Sequence, residues 1–310
     1  MFAATKPWAD APSGVRVVTP AEEPAAKGRE IAALERVSLV LGGTKILDEV
    51  SFEVAAGEAV CLVGPSGGGK STILNLLAGL VEPTAGRVRW EGRPVAGPGP
   101  ERAVVFQDAA LFPWLTLEDN VGFPLEVAGV ARDERRARVE ELLRLVHLLK
   151  FRRAYPHELS GGMRQRGAIA RALATKPKMV LFDEPFAALD GQMRELLQNE
   201  VERIVRVAGT TMVFVTHQIE EAVRLGDRVV LVGARPGRVL GDVAIDLPRP
   251  RRAGDAHAVR LVQALAADIR AEVEKVAREE ADDAWSPEPR GKSSSGADGD
   301  DPRRHLGGGI

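Results

Sequence analysis

The chain has 310 residues, and 42 Lys and Arg against 44 Asp and Glu leave a formal net charge of −2, which argues against a general nucleic-acid-binding protein because such proteins are normally strongly basic. Its single cysteine, Cys61, excludes an intramolecular disulfide framework and a zinc site built from several cysteines. No apolar run approaches the roughly 20 residues that span a bilayer, and the first residues lack the apolar core of a secretion signal, so we expect a cytosolic protein without a nucleic-acid partner.

The two ends of the chain differ in composition from its centre. Residues 1–30 contain four prolines among Ala, Glu and Gly, and residues 281–310 are rich in Gly, Ser and Asp. Such segments bury too little apolar surface to offset the entropy of ordering them, so we predict two disordered tails. Residues 31–252 form the predicted folded domain, and a helical pattern at residues 253–280 predicts a C-terminal helix.

Short apolar runs alternate with helical patterns through the centre of the chain. Residues 37–41 and 50–54 alternate as half-buried strands do, and residues 59–63 form a continuous apolar run typical of a buried strand. Further runs of this kind are residues 103–106, 179–182, 211–215 and 228–232. Strands that alternate with helices predict an α/β fold with a mainly parallel sheet that is buried on both faces.

One block interrupts this alternation. Between residues 119 and 150 no convincing strand is found, and five apolar residues follow helical spacing with charges on the opposite face: Val139, Leu142, Leu143, Val146 and Leu149. We therefore predict a helical subdomain, at about residues 108–175, inserted into the α/β core.

A glycine-rich loop follows the buried strand at residues 59–63. Residues 64–71, GPSGGGKS, fit the phosphate-loop pattern G-x-x-x-x-G-K-[ST] and precede a helical run. The glycines let consecutive N–H groups face one concavity, and the next helix adds its unpaired N-terminal N–H groups. Lys70 is predicted to reach the β- and γ-phosphates, and the Ser71 hydroxyl to bind Mg²⁺. The residues predicted to bind nucleotide phosphates are Gly64, Pro65, Ser66, Gly67, Gly68, Gly69, Lys70, Ser71 and Thr72.

Two acids end the apolar run at residues 179–182. Buried parallel strands direct their carboxyl ends at the ligand crevice, so Asp183 is placed to hold Mg²⁺ directly or through water. Glu184, one residue later, can orient and deprotonate an attacking water. By itself, Asp-Glu after an apolar run is equally compatible with a solvated acidic pair, and the phosphate loop favours the catalytic interpretation.

A second candidate anion site begins at residues 159–166, LSGGMRQR, where Ser160, Gly161 and Gly162 precede a helix predicted to reach about residue 174. With this motif, the chain resembles the ATP-binding cassette (ABC) ATPases, whose signature loop reads LSGGQ; Met163 replaces that glutamine. The resemblance extends over residues 34–252. It implies a P-loop NTPase core with an antiparallel β subdomain and the inserted helical subdomain.

The resemblance assigns roles to further residues. Gln107, in VVFQD, is similar to the glutamine that joins the core to the helical subdomain and senses Mg²⁺ and the attacking water. Asp190, in ALD, is similar to the residue of the loop that crosses the dimer interface, and His217, in FVTHQ, to the switch histidine that contacts the γ-phosphate. Leu41 takes the place of the aromatic residue that usually stacks on adenine, which predicts weaker base selectivity.

The resemblance also implies partners. It implies a head-to-tail dimer, which we expect to be a homodimer. In that dimer each ATP lies between the phosphate loop of one subunit and residues 160–162 of the other. The stretch at residues 97–121, with YPHELSGGMRQR, resembles the ATPases of nitrate, sulfonate and taurine importers. These act at the cytoplasmic face of the cell membrane with transmembrane permease subunits, and indirectly with an extracytoplasmic solute-binding protein. The apolar run around Trp114 is the expected permease contact, with core packing as the alternative.

Two alternative functions and one alternative class of transported solute are also compatible with the sequence. A soluble ABC ATPase of translation or repair usually carries two cassettes or a long coiled-coil insert, and the chain shows neither pattern. A catalytically inactive scaffold would need a broken site, yet Lys70, Gln107, Asp183, Glu184 and His217 are all present. An ABC importer of another small solute fits the same motifs, because permease and binding protein select the cargo.

Overall fold

The computed structural model describes residues 15–18, 28–187, 189–234, 236–251 and 256–283. The strands are β1 (Val15–Val18), β2 (Glu30–Leu41), β3 (Thr44–Ala55), β4 (Ala59–Val63), β5 (Ala85–Trp90), β6 (Arg93–Pro94), β7 (Arg102–Val105), β8 (Met179–Asp183), β9 (Thr211–Thr216), β10 (Arg228–Val232) and β11 (Val239–Ile245). The helices are α1 (Lys70–Ala78), α2 (Leu117–Val127), α3 (Arg132–Leu145), α4 (Gly161–Leu173), α5 (Gly191–Ala208), α6 (Ile219–Leu225) and α7 (Ala256–Asp283). Short 3-10 turns lie at Leu149–Phe151 and Pro156–Glu158.

Two sheets organise these strands. The larger has the order β1-β11-β10-β4-β9-β8-β7; the five strands from β10 to β7 are parallel to one another, whereas β11 is antiparallel to β10 and β1. The smaller sheet, β3-β2-β5-β6, is antiparallel throughout. The predicted α/β fold with a mainly parallel sheet and an antiparallel β subdomain is thereby confirmed.

The parallel sheet is buried on both faces. All five residues of β4 are buried, and they alternate between two core clusters. Cys61 and Val63 pack with α5, α6 and the helical insert, whereas Val60 and Leu62 pack with α1 and the antiparallel sheet. This arrangement explains the continuous apolar run, because a strand covered on both sides needs apolar residues at consecutive positions.

Helices α2, α3 and α4 follow β7 and precede β8 in the chain, and they pack on one another. They lie within residues 108–175, the range predicted for the helical subdomain. Gly167 in α4 approaches α2 so closely that an added Cβ would lie 2.6 Å from Leu117 Cδ1. Within the described residues, no helix combines the length and the apolar character needed to cross a bilayer.

The prediction that residues 1–30 are disordered is wrong for Val15–Val18. These residues form β1, which pairs antiparallel with β11 and places Val15 opposite Ile245. A four-residue run carries too weak a signal alone, and the strand exists because β11 offers a free edge for pairing. The prediction is also wrong for Glu30, where β2 begins. The remaining tail predictions lie outside the described residues, except for residues 28 and 29 and for α7, which continues to Asp283.

Replacing Gly64 with Ala should destabilise the chain, because an added Cβ would lie only 2.0 Å from the Val232 carbonyl oxygen. The backbones of β4 and β10 would have to separate, at a cost of about 1–3 kcal/mol in the free energy of unfolding. Gly191→Ala is the matched control, since its Cβ would meet no atom within 4 Å at the first residue of α5. Urea unfolding measures both; equal losses would contradict the close approach.

Candidate active site

Four parallel strands end at one edge of the larger sheet. The register pairs Val63 at the end of β4 with Thr216 at the end of β9, and Asp183 at the end of β8 with Val215. On the far side, Val105 of β7 lies opposite Phe182 of β8. The segments that follow these strands therefore meet along one line, and they carry the phosphate loop, Glu184, His217 and Gln107.

The phosphate loop has the tight backbone that the glycine pattern predicts. Gly67 and Gly69 have φ of 79°, in the left-handed region that other residues seldom adopt. Helix α1 begins at Lys70, directly after Gly69, so its first unpaired N–H groups open onto the loop. The loop thus provides a concave array of backbone donors suited to phosphate oxygens.

Lys70 lies within the loop, almost fully buried. Its Nζ donates to the carbonyl oxygens of Gly64, at 2.9 Å, and Pro65, at 2.7 Å. Burial lowers the pKa of this ammonium group, while the nearby carboxylates of Glu184 and Asp183 act in the opposite direction. A positive charge is therefore held beside the strand ends with little water around it, where it attracts an anion strongly.

Ser71 and Asp183 join the loop to β8. The Ser71 hydroxyl donates to Asp183 Oδ1 at 3.0 Å. Burial raises the pKa of Asp183, and the hydrogen bond from Ser71 partly offsets that shift. A hydroxyl and a carboxylate oxygen at this distance match the hard oxygen ligands that Mg²⁺ prefers, so the residues present fit this ion.

Glu184 and His217 form a second pair at the same edge. His217 Nδ1 lies 3.1 Å from Glu184 Oε2, within hydrogen-bonding distance. Glu184 has a left-handed φ of 45° and donates its own N–H to the Val215 carbonyl at 3.1 Å. Because β8 and β9 fix this backbone, the carboxylate stays beside the histidine.

Gln107 is exposed two residues beyond the end of β7. Its neighbour Phe106 accepts a hydrogen bond through its carbonyl from Gln165 Nε2 at 2.9 Å. Gln165 is buried in α4, the helix that begins at the signature loop. The Gln107 segment is thereby attached to the helical subdomain as well as to the sheet.

Two predicted site residues act as helix caps in the described chain. Ser160 accepts from the Met163 N–H at 3.3 Å at the start of α4, and Asp190 accepts from the Met193 N–H at 3.0 Å at the start of α5. Within the described residues, no hydrogen bond or ion pair joins residues 160–162 or Asp190 to the phosphate loop.

Leu41 ends β2 at the tip of the β2–β3 hairpin, and half of its surface is exposed. The same hairpin contacts the phosphate loop through Leu47, whose Cδ2 lies 2.5 Å from where a Cβ on Gly69 would stand. The hairpin thus places an apolar side chain on the antiparallel sheet that flanks the loop.

An aromatic cluster follows the Gln107 segment. The rings of Phe112 and Trp114 are 5.5 Å apart, and those of Phe112 and Phe123 are 4.9 Å apart. Trp114 is 70% exposed, which contradicts the alternative that it packs in the core. Exposed aromatic surface of this kind is typical of a protein interface.

Sequence reasoning does not identify the residues that shape this aromatic loop. Asn120, fully buried in α2, accepts from the Phe112 N–H at 2.8 Å and donates to three carbonyls, those of Phe112, Leu115 and Thr116. Arg171 in α4 donates to the carbonyls of Ala109 and Ala110. A single Asn or Arg within a helical pattern carries no signal, because its partners are backbone groups whose position depends on packing.

Comparisons with known proteins agree on one family. A family model described as ABC transporter matches residues 47–187. The ABC transporter ATP-binding protein MJ0412 of Methanocaldococcus jannaschii is 51% identical over 207 residues, covering 67% of this chain and 78% of the relative. The taurine import ATP-binding protein TauB of Burkholderia pseudomallei is 48% identical over 208 residues, which cover 67% of this chain and 80% of that relative. The solved dimeric cassette MJ0796 bound to ADP and phosphate has a TM-score of 0.63 and 32% identity, and covers 72% of this chain and 100% of that one.

Replacing Asn120 with Ala should loosen the aromatic loop. The Phe112 N–H and the Leu115 carbonyl lose their partner, while the carbonyls of Phe112 and Thr116 keep a backbone donor. This loss costs about 1–3 kcal/mol of unfolding free energy. Limited proteolysis should then cleave the loop faster than in the parent chain. Asn199→Ala is the control, because its bond to Arg224 is exposed and its loss should cost less than about 0.5 kcal/mol. A loop that resists cleavage equally in both variants would contradict this role of Asn120.

Proposed function

Because this chain belongs to the ABC transporter family of ATP-binding proteins, we propose that it powers the import of a small solute of the nitrate, sulfonate or taurine type. It is an ATPase that converts ATP and water to ADP and phosphate, and it couples that reaction to a separate permease. The observation that carries the catalytic assignment is the meeting of Lys70, the Ser71–Asp183 pair and the Glu184–His217 pair at one sheet edge. The similarity to a taurine import ATP-binding protein supports the class of cargo.

The phosphate loop binds the phosphate tail of ATP in this proposal. Its backbone N–H groups and the start of α1 contact the α- and β-phosphates, and Lys70 transfers its hydrogen bonds from the Gly64 and Pro65 carbonyls to the β- and γ-phosphates. The burial that lowers the pKa of Lys70 favours this exchange, because a poorly hydrated ammonium gains most from an anion. Leu41 contributes an apolar contact to the base and less selectivity than a stacked ring.

Ser71 and Asp183 would hold Mg²⁺, with Gln107 as a further ligand. Bound there, the ion supplies positive charge against the β- and γ-phosphates. Glu184 orients the attacking water and accepts its proton, and its position is fixed by the backbone bond to Val215. His217 contacts the γ-phosphate and keeps Glu184 in place through the 3.1 Å contact.

A second subunit, proposed to be an identical copy, completes the site. The similar cassette MJ0796 is solved as a dimer, which supports a role for residues 160–162 and Asp190 across a dimer interface. The N-terminus of α4 would then meet the γ-phosphate bound by the partner, as an anion does at a helix start. Shifting such an open–closed equilibrium from 1:99 to 99:1 requires roughly 5.5 kcal/mol of differential binding.

The exposed aromatic cluster is the proposed permease contact. Trp114 presents most of its surface to solvent, and its loop follows Gln107 directly, so a movement at the nucleotide reaches the contact over a few residues. In this arrangement the chain works as a peripheral protein at the cytoplasmic face of the cell membrane. An extracytoplasmic solute-binding protein delivers the cargo to the permease without touching this chain.

Replacing Glu184 with Gln should leave ATP binding intact and lower steady-state phosphate release by roughly 100-fold or more, because the amide cannot accept the proton of the attacking water. ATP-bound dimer should accumulate, which light scattering after gel filtration with MgATP would show. Glu134→Gln, an exposed residue of α3, removes the same charge and should change neither quantity. Unchanged phosphate release in E184Q would refute the role of Glu184 as the base.

Replacing Trp114 with Ala should weaken permease binding by about tenfold or more while basal ATP hydrolysis changes little, because the ring belongs to the contact and not to the nucleotide site. Val207→Ala is the control: Val207 is 81% exposed but lies near the end of α5, before β9 begins at the opposite sheet edge. The measurement is co-purification of the chain with its permease subunits from membranes. Equal recovery of both variants would overturn the docking assignment.

A further inference from the structure

The mechanism described above leaves one buried carboxylate unused. Glu221 lies in the first turns of α6, four residues after His217, and is only 7% exposed. Its two oxygens have different partners: Oε1 accepts from Gln198 Nε2 at 2.6 Å, and Oε2 accepts from the Thr216 hydroxyl. Thr216 and Gln198 are themselves almost completely buried. A buried, fully bonded carboxylate beside the switch histidine requires an explanation.

The Thr216 hydroxyl makes two hydrogen bonds next to His217 in the chain. It donates to Glu221, and it accepts from the Gln218 N–H at 3.0 Å. These two bonds involve the residues directly before and after His217, so they fix the direction in which the chain leaves β9. The imidazole carried by this backbone lies 3.1 Å from Glu184.

Arg224 and Glu221, at the two ends of this hydrogen-bond network, determine which group donates in each bond. Arg224, which can only donate, bonds Gln198 Oε1 at 3.1 Å and thereby turns Gln198 Nε2 toward Glu221. Burial raises the pKa of Glu221, whereas the hydrogen bonds from Thr216 and Gln198 lower it by stabilising the ionised form. That form can only accept, so Thr216 donates to it and keeps its lone pairs for the Gln218 N–H. With this carboxylate ionised, each hydrogen of the network has one orientation. A neutral amide at position 221 can accept from Gln198 only if it donates to Thr216, which reverses that hydrogen bond and leaves the Thr216 hydroxyl hydrogen without its acceptor.

The network also reaches α5. Gln198 belongs to this helix, which begins at Gly191 directly after its cap Asp190. Glu221 therefore connects the segment that carries the switch histidine to the helix that follows the proposed interface residue Asp190. Both connections are made by one buried side chain.

We propose that Glu221 is a positioning residue for hydrolysis, which orients His217 through the Thr216 hydroxyl and ties that orientation to α5 through Gln198. The inference rests on the proposed function, because it assumes that His217 acts in ATP hydrolysis. It predicts an effect on the chemical step and not on nucleotide binding, which Lys70 and the phosphate loop provide.

The test compares steady-state ATP hydrolysis of Glu221→Gln with that of Glu220→Gln in the full chain. Glu220 is the adjacent residue of α6, is exposed, and loses the same charge. In E221Q, kcat should fall about 10- to 100-fold, the usual cost of removing a residue that orients a catalytic group, while KM for ATP stays within about twofold. E220Q should match the parent chain.

A second pair of variants isolates the hydroxyl and covers the case in which E221Q does not fold. Thr216→Val keeps the side-chain shape but removes the donor, and should reproduce the fall in kcat; Thr216→Ser restores the donor and should recover kcat to within about threefold. The proposal is overturned if E221Q retains full kcat, if KM rises as much as kcat falls, or if Ser and Val at position 216 lose activity equally. A parent chain without ATPase activity, in contrast, would refute the proposed function itself.

Discussion

The parallel register of four neighbouring strands is the constraint on which the rest of this molecule depends. With Val63 opposite Thr216 and Asp183 opposite Val215, the segments after β4, β8 and β9 cannot separate without breaking the central ladder of a sheet that is buried on both faces. A phosphate loop, an acid and a histidine that are far apart in the chain are thereby held together. The conformational entropy of these groups is lost during folding, so little more is lost when ATP binds.

The same edge carries both fixed and adjustable contacts. Lys70 bonds two loop carbonyls that the phosphates can replace, and the Glu184–His217 contact joins two side chains whose backbones are fixed by adjacent strands. Burial of Asp183 raises its pKa, so its charged form gains from a nearby cation. In the proposed function, these groups respond to the negative charge of a triphosphate and to its ion.

Helix α4 connects this edge to the exposed aromatic loop. Its N-terminus is the signature segment capped by Ser160, Gln165 holds the Phe106 carbonyl beside Gln107, and Arg171 holds the carbonyls of Ala109 and Ala110. The charged end of Arg171 also lies 5.5 Å from the Phe112 ring. A displacement of α4 therefore carries the Gln107 segment and the aromatic loop with it, unless these bonds break.

The sequence by itself determined the fold class and predicted the residues of the candidate site. A phosphate loop, an acidic pair and the signature segment are local patterns that need particular residue types at fixed spacing. The tertiary structure alone decided what has no local pattern. β1 forms because β11 offers an edge, and Trp114 is exposed because Asn120 and Arg171 shape its loop through backbone groups. Glu221 belongs to the same class: its partners, Thr216 and Gln198, lie 5 and 23 residues away, and only packing brings them to one buried carboxylate.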